Sequence, residues 1–479
     1  MRRSALPLAT FLTTMLATAP ALAGPISPVR HDATLAMFER LVDTPTVVGR
    51  GKVPEMANYL ADQFKAAGFP AADVEVVPYR TQAKDGSQAD DTAALIVRWR
   101  AAAAGGRRPI MLMGHMDVVE AKREDSTTDP FKLTVRDGYY YGRGTIDMKA
   151  GLTGIAQALI DLRSSGWEPT RDLVLFFTGD EETNGIGATR GATEWLDRLG
   201  RPEYGLNADG GGIGFTEGDK PLGATVQTAE KTYADYELRV TNRGGHSSKP
   251  RADNAIYQLA HALERLEAYR FPPQMNETSR AYFTAVAKIE TGAAGNAIRR
   301  WLANPDDGAA ADAVEADETY VGLTRTRCVA TRLFGGHANN ALPQLATATV
   351  NCRIFPGITP DAIRDVLQRV AGDPAVTVTR LDANPASLAS PLRSDVTAAY
   401  TKAVTTLHPG MQVYPEMSTG ASDARPFRAA GVAVYGVGGE WVRVPVDLRA
   451  HGKDERLPIA ALDDNVAHWK LMVQALTGK

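Results

Sequence analysis

The stretch "PIMLMGHMDVV", Pro109 to Val119, decides how this chain is read. Pro109–Met113 is a short unbroken apolar run, the pattern of a strand covered on both faces. It passes directly into Gly114, His115 and Asp117. A histidine and an aspartate at the end of a buried strand make either a polar turn or one part of a metal site. In extended chain, residues two apart point to the same side, so Asp117 can reach the imidazole of His115. A metal-bound histidine commonly donates its other N–H to a carboxylate. Taken alone, the pair favours the turn.

Outward from this stretch, apolar strands alternate with helical patterns. "VEVVPY" (74–79), "AALIVRW" (93–99) and "DLVLFFT" (172–178) read as strands. Helices are expected over 32–41, over 54–67 with Met56, Leu60 and Phe64 on one face, and over 147–162. Buried strands alternating with helices predict an α/β sheet covered on both faces. Near residue 228 the pattern changes. "YADYELRVTN" alternates as a half-solvated strand does. A helix over 255–269, strands around Arg327 and Arg353, a helix over 360–371 and the strand "AVTVTRL" (375–381) follow. Strand-helix-strand-strand-helix-strand is a ferredoxin-like unit. It reads as an insertion over 228–385 between two parts of a main domain, 24–227 and 386–479. The Ala/Gly/Asp-rich segment 291–317 is expected to be a surface excursion of the inserted unit.

The chain has 479 residues, too many for one simple core. Its net charge of -3 gives no reason to expect nucleic acid or an anionic membrane as partner. Residues 1–23 combine two arginines, an apolar stretch and Ala21-Leu22-Ala23, the layout of a cleaved export signal. No later segment reaches the ~20 apolar residues that span a bilayer. The expectation is an exported, periplasmic protein with no membrane attachment after signal removal. There are two cysteines, Cys328 and Cys352, in apparent strands. Sequence leaves open whether they bridge or stay free, because it does not give the Cα separation.

Four more clusters carry polar groups at strand ends or loops. Asp147, behind Gly142 and Gly144, stands where a helix cap would. Asp180, Glu181 and Glu182 crowd together after a buried strand, where each raises its neighbours' pKa unless a cation relieves them. Asp209 sits in "NADGGG", readable as a plain turn, and His451 in a loop. Two histidines and at least three carboxylates on loops make a mixed nitrogen and oxygen donor set suited to zinc and related divalent ions.

The ordered motifs "GHMDVV", "DPF", "GRGTIDMKAG", "GDEET", "NADGG", "GGHSSKP", "NNALPQ", "SDARPF" and "AHGKDE" resemble the M20 family of dinuclear zinc exopeptidases and amidohydrolases. The resemblance runs from about residue 30 onward. It implies a zinc-exopeptidase-like, three-layer catalytic domain with a ferredoxin-like lid or dimerisation domain inserted. It implies two divalent metal ions, Zn2+ first, with Co2+ or Mn2+ as substitutes. By position it makes His115, Asp147, Glu182, Asp209 and His451 metal ligands. Asp117 would orient His115, and Glu181 would be the general base. His246 would stabilise an oxyanion across a dimer, and Asn340 and Arg353 would contact the substrate's carboxylate or carbonyl. Arg425 could also line the site. The implied activity is cleavage of a peptide bond beside a free C-terminal carboxylate. The alternatives are an N-acyl-amino-acid amidohydrolase and, remotely, a non-catalytic binding protein on the same fold. The implied partners are a peptide or N-acyl amino acid and a second copy of the chain.

Overall fold

The computed structural model describes residues 28–83 and 86–478. The expected export signal, 1–23, lies outside the described residues. A ten-stranded sheet organises the larger part of the molecule. At its centre Leu173–Thr178, Ile110–His115, Tyr204–Asn207 and Ala433–Gly436 lie side by side and parallel. Val74–Gln82 and Ala89–Trp99 extend one side antiparallel. Every residue of Ile110–His115 and of Leu173–Thr178 is buried, as their unbroken apolar sequences require.

Helices cover both faces. On one, Val53–Ala66, Lys149–Ser164 and Ile459–Thr477 pack over a core that includes Leu60, Phe64, Leu152, Leu112 and Trp469. On the other, Ile186–Ala192 and Ala424–Ala429 close over Met111, Met113 and Phe176. Gly114 is required by close approach: a Cβ there would stand 2.6 Å from Met148 Cε. That contact lets the helix Lys149–Ser164 lie directly over the end of the central strand.

The second sheet has the order Arg327–Gly335, Leu345–Ile354, Thr232–Thr241, Val376–Arg380, all antiparallel. Helices Ala255–Ala268 and Pro360–Ala371 supply Leu259, Ala262, Ile363 and Leu367 to its core. This is the ferredoxin-like order. The second helix is bounded by local signals: Thr359 caps the N–H of Ala362, Pro360 opens it, and Gly372 ends it at φ +64°. Cys328 and Cys352, opposite one another on neighbouring strands, form a disulfide with Cα atoms 4.1 Å apart.

The segment 291–317, expected as a surface excursion of the inserted unit, is largely helical. Glu277–Val286, Gly292–Ala303 and Gly308–Val314 are helices around Phe283, Ile298, Trp301, Val314 and Tyr320. Small Ala and Gly residues let Gly292–Ala303 and Gly308–Val314 pack closely, and one tryptophan fills their centre. Among the described residues no helix is long and apolar enough to cross a membrane.

Candidate metal centre

The central parallel strands all end on the same edge, where sites form in open α/β sheets. His115 is the last residue of its strand. Asp180, Glu181 and Glu182 follow Thr178, and Asp209 follows Asn207. Asp147 precedes the helix Lys149–Ser164 and does not cap it: the cap position is Met148, with no side-chain cap bond. The Asp147 carboxylate instead points into the centre. His451 arrives from a late loop, in the left-handed region at φ 62°.

Asp147 stands between two histidines. Its Oδ1 lies 3.1 Å from His115 Nε2 and its Oδ2 lies 3.0 Å from His451 Nε2. On the His115 side, Asp209 Oδ2 is 3.9 Å from Nε2. On the His451 side, Glu182 Oε1 is 2.8 Å from Nε2. Ligand atoms of His115, Asp147 and Glu182 all lie within 4.8 Å of one another. All five sequence-predicted ligands are therefore brought together, in two halves that share one aspartate.

Electrostatics follow from crowding. Burial disfavours a charged His115, but Asp117 and Asp147 outweigh it and hold its pKa well above the usual value. His451 is raised to about 10 by Asp147 and Glu182. Burial alone would raise Asp147, yet the two imidazoles hold it far below the ordinary carboxylate range. Asp209 is pushed up to about 7 by burial, with Asp147 and Glu182 adding and His115 opposing. Burial likewise holds Glu181 well above its usual value, aided by Asp209, Asp423 and Glu182. Carboxylates held this close in a buried space are relieved by cations, and two imidazoles with three carboxylates fit a pair of divalent ions.

Asp117 acts differently from the simple expectation. His115 Nδ1 lies 3.0 Å from the main-chain carbonyl of Asp117, while the carboxylate is farther, at 3.6 Å. That carboxylate accepts the N–H of Glu181 at 3.1 Å and of Glu182 at 3.0 Å. Residues 181–184 form a turn rather than extended chain. Asp117 is what pins its first two members. Asp180 leaves the cluster: it accepts from the Tyr79 hydroxyl and from the N–H groups of Ile186 and Gly187.

The expected substrate residues lie elsewhere. His246 is exposed, bonded to Ser248, in a two-residue pairing opposite Ala341. Asn340 adjoins it by accepting the Ser247 N–H at its carbonyl. Neither makes a hydrogen bond into the cluster. Arg353 donates to the Thr419 carbonyl and stacks over Tyr233. The loop whose carbonyl it meets continues to Ser422, bonded to Glu230, and to Asp423, bonded to Thr178 beside the Glu181–Glu182 turn. Arg425, in the helix Ala424–Ala429 that follows, donates to Asn384.

Sequence reasoning missed three groups. Asp423 is pushed up to about 8 by burial, with Asp180 and Asp117 adding. Glu440 is pushed up to about 7 by burial, with Asp209 and Asp147 adding. Glu455 is buried under the Asp147 loop. An acid within four residues of His451 was the available signal for Glu455; nothing in sequence marks the other two as buried.

Comparison with known proteins gives the chain's family. N-fatty-acyl-amino acid synthase/hydrolase PM20D1 of Xenopus tropicalis is 29% identical over 373 residues, 76% of this chain and 72% of that protein. Probable carboxypeptidase S-like 2 of Dictyostelium discoideum is 30% identical over 367 residues, 74% of this chain and 68% of that one. Among solved structures, the M20 family metallo-carboxypeptidase Sso-CP2 from Sulfolobus solfataricus superposes with a TM-score of 0.69 at 17% identity, covering 92% of this chain and 99% of that one. The model of Peptidase family M20/M25/M40 matches residues 111–475, so the chain belongs to that family of metal-dependent hydrolases.

Proposed function

We propose that the protein is an exported dinuclear hydrolase that cleaves an amide bond whose amine side is a residue bearing a free carboxylate. His115 and Asp209 would hold one divalent ion, Glu182 and His451 the other, with Asp147 shared. The observation that carries this reading is Asp147, whose two oxygens face two different histidines at 3.1 and 3.0 Å. Zinc suits the donors best, with cobalt or manganese able to replace it.

When bound, a pair of divalent ions lowers the pKa of an attacking water and polarises the substrate carbonyl. Glu181 takes the water's proton as it attacks and delivers it to the departing amine. Asp117 holds the Glu181 and Glu182 main chain, so base and ligand keep a fixed spacing. Arg353 would pair the substrate carboxylate, a geometry that a guanidinium fork matches.

The reading favoured first is an exopeptidase, a carboxypeptidase or dipeptidase, in line with the carboxypeptidase-like relative. The second is an N-acyl-amino-acid amidohydrolase, favoured by the similarity to a protein named as an N-fatty-acyl-amino acid synthase/hydrolase. Both products carry a free α-carboxylate, so Arg353 serves either. Export is supported by the 1–23 pattern and by the disulfide, which persists in oxidising compartments. A homodimer through the inserted unit is supported by the strand Arg327–Gly335, an edge strand with Val329, Leu333 and Phe334 exposed. Such a dimer would let each protomer lend its exposed His246 to the other centre, and Asn340 beside it.

The test is metal analysis and a substrate panel on one purified sample. Two ions per chain and hydrolysis of dipeptides or N-acyl amino acids, but not of the same compounds with the carboxylate amidated, are expected. Equal turnover of the amidated compounds would remove the carboxylate requirement.

A further inference from the structure

Glu455 is buried, and both its carboxylate oxygens are fully used. Oε1 accepts the main-chain N–H of Ile146 at 2.8 Å and of Asp147 at 3.1 Å. Oε2 accepts the N–H of Gly144 at 3.0 Å and Nη1 of Arg143 at 2.6 Å. The second arm of Arg143 donates to the carbonyl of Gly452, the neighbour of His451, at 3.1 Å. Gly142 donates to the Glu455 carbonyl, and Arg456–Pro458 pairs antiparallel with Tyr139–Tyr141. Gly144 lies at φ +85°, and a Cβ there would press on Val118 and Lys149, so this loop has one route past the strand end. The result is a closed ring: Asp147 main chain to Glu455, Glu455 along the chain to His451, and His451 back to the Asp147 carboxylate at 3.0 Å.

We infer that Glu455 is a positioning residue for the centre. Its carboxylate fixes the loop bearing Asp147 to the loop bearing His451, and so sets how firmly the space between Asp147, Glu182 and His451 holds a divalent cation. The inference rests on the ligand assignment proposed above. It bears most on the His451 half, because His115 and Asp209 are carried by neighbouring strands of the central sheet and only the shared Asp147 links their half to Glu455. A carboxylate is needed in this place because four donors converge on it. Glutamine offers one oxygen and one amino group, so half of the donors would meet another donor.

The experiment is a chelator-competition titration with Zn2+ on the full chain and on Glu455→Gln, with kcat and KM measured on the same samples. Wild type binding two ions, and the variant holding one of them about tenfold or more weakly, is expected, since losing a partner that orients ligands costs about 10–100-fold in affinity or activity. kcat should fall with KM nearly unchanged. A purely architectural Glu455 would lower the melting temperature and leave both affinities at the wild-type value, which would overturn the inference. Should that variant fail to fold, Arg143→Met removes one of the four donors. The weakening of the same ion should then be smaller, and unchanged affinity overturns the inference. Wild type binding fewer than two ions would instead sink the ligand assignment itself, and the two failures are told apart by which protein loses the ion.

Discussion

The Asp117 carboxylate accepts the main-chain N–H of Glu182 at 3.0 Å across 65 residues of sequence, so the strand-end acid governs the turn that carries Glu181 and Glu182. Asp117→Asn keeps the shape but turns an amino group toward one of two N–H donors. The expected result is a fall in kcat of about 10–100-fold with the fold retained, the usual cost of losing a partner that orients ligands. Steady-state kinetics with circular dichroism on the same sample checks it; an unchanged kcat would show that the turn holds itself.

Glu181→Gln removes the proton acceptor and leaves the surrounding ligands in place. A loss of about 10²–10⁴-fold in kcat is expected, with two ions still bound. Metal content and single-turnover hydrolysis decide the matter. Full activity would rule out Glu181 as the base.

Asp147→Ala strips the group shared by both halves of the centre. Both ions should bind far more weakly, and hydrolysis should be abolished. Chelating the wild type should do the same and lower its melting temperature, because ligands that bind only the folded chain stabilise it. Calorimetry with and without chelator reads this; an identical melting temperature would contradict it.

His468 gives the fold a pH signature. It is buried, its Nε2 lies 3.0 Å from the Val437 carbonyl, and burial lowers its pKa to about 4. The unfolded chain therefore binds a proton near pH 6.5 that the folded chain refuses until about pH 4. Stability from this group is fully present above pH 6.5 and falls as pH drops through that window, by about 2 kcal/mol at pH 5 and about 3 kcal/mol at pH 4. Urea titrations at pH 7.5 and pH 5 should show a smaller loss for His468→Gln. Equal losses would place the histidine's proton elsewhere.

The disulfide closes a loop spanning a sequence separation of 24 residues, a constraint worth about 3 kcal/mol on the unfolded chain. Thiol titration of the unfolded, unreduced protein should find no free thiol among Cys328 and Cys352. Cys328→Ala/Cys352→Ala should unfold at a lower urea concentration. A free thiol count of two would remove the bridge.

Much of this was legible in the residues themselves. Unbroken apolar runs such as Pro109–Met113 fixed the central strands, and period-two alternation fixed the second sheet. The ferredoxin-like order followed from strand and helix succession alone. Asp147 was the ambiguous residue: its place before a helix suits a cap, and the approach of His115 and His451 shows the side chain pointing elsewhere. The helices between Glu277 and Val314 escaped because alanine and glycine give little apolar contrast, while Trp301 does the packing. Glu440 and Asp423 escaped for a different reason. A carboxylate's burial depends on which distant loop folds over it, and no local pattern records that. The cysteine pairing needed strand register, which comes from pairing partners and not from either strand alone.

The order in which the cluster's members occur along the chain has a consequence for biosynthesis. His115, Asp147, Glu182 and Asp209 emerge from the ribosome early, ahead of the whole inserted unit, while His451 and Glu455 come late. The cluster is therefore incomplete in any amino-terminal portion of the chain, and its second half exists only once the late loop has met Asp147.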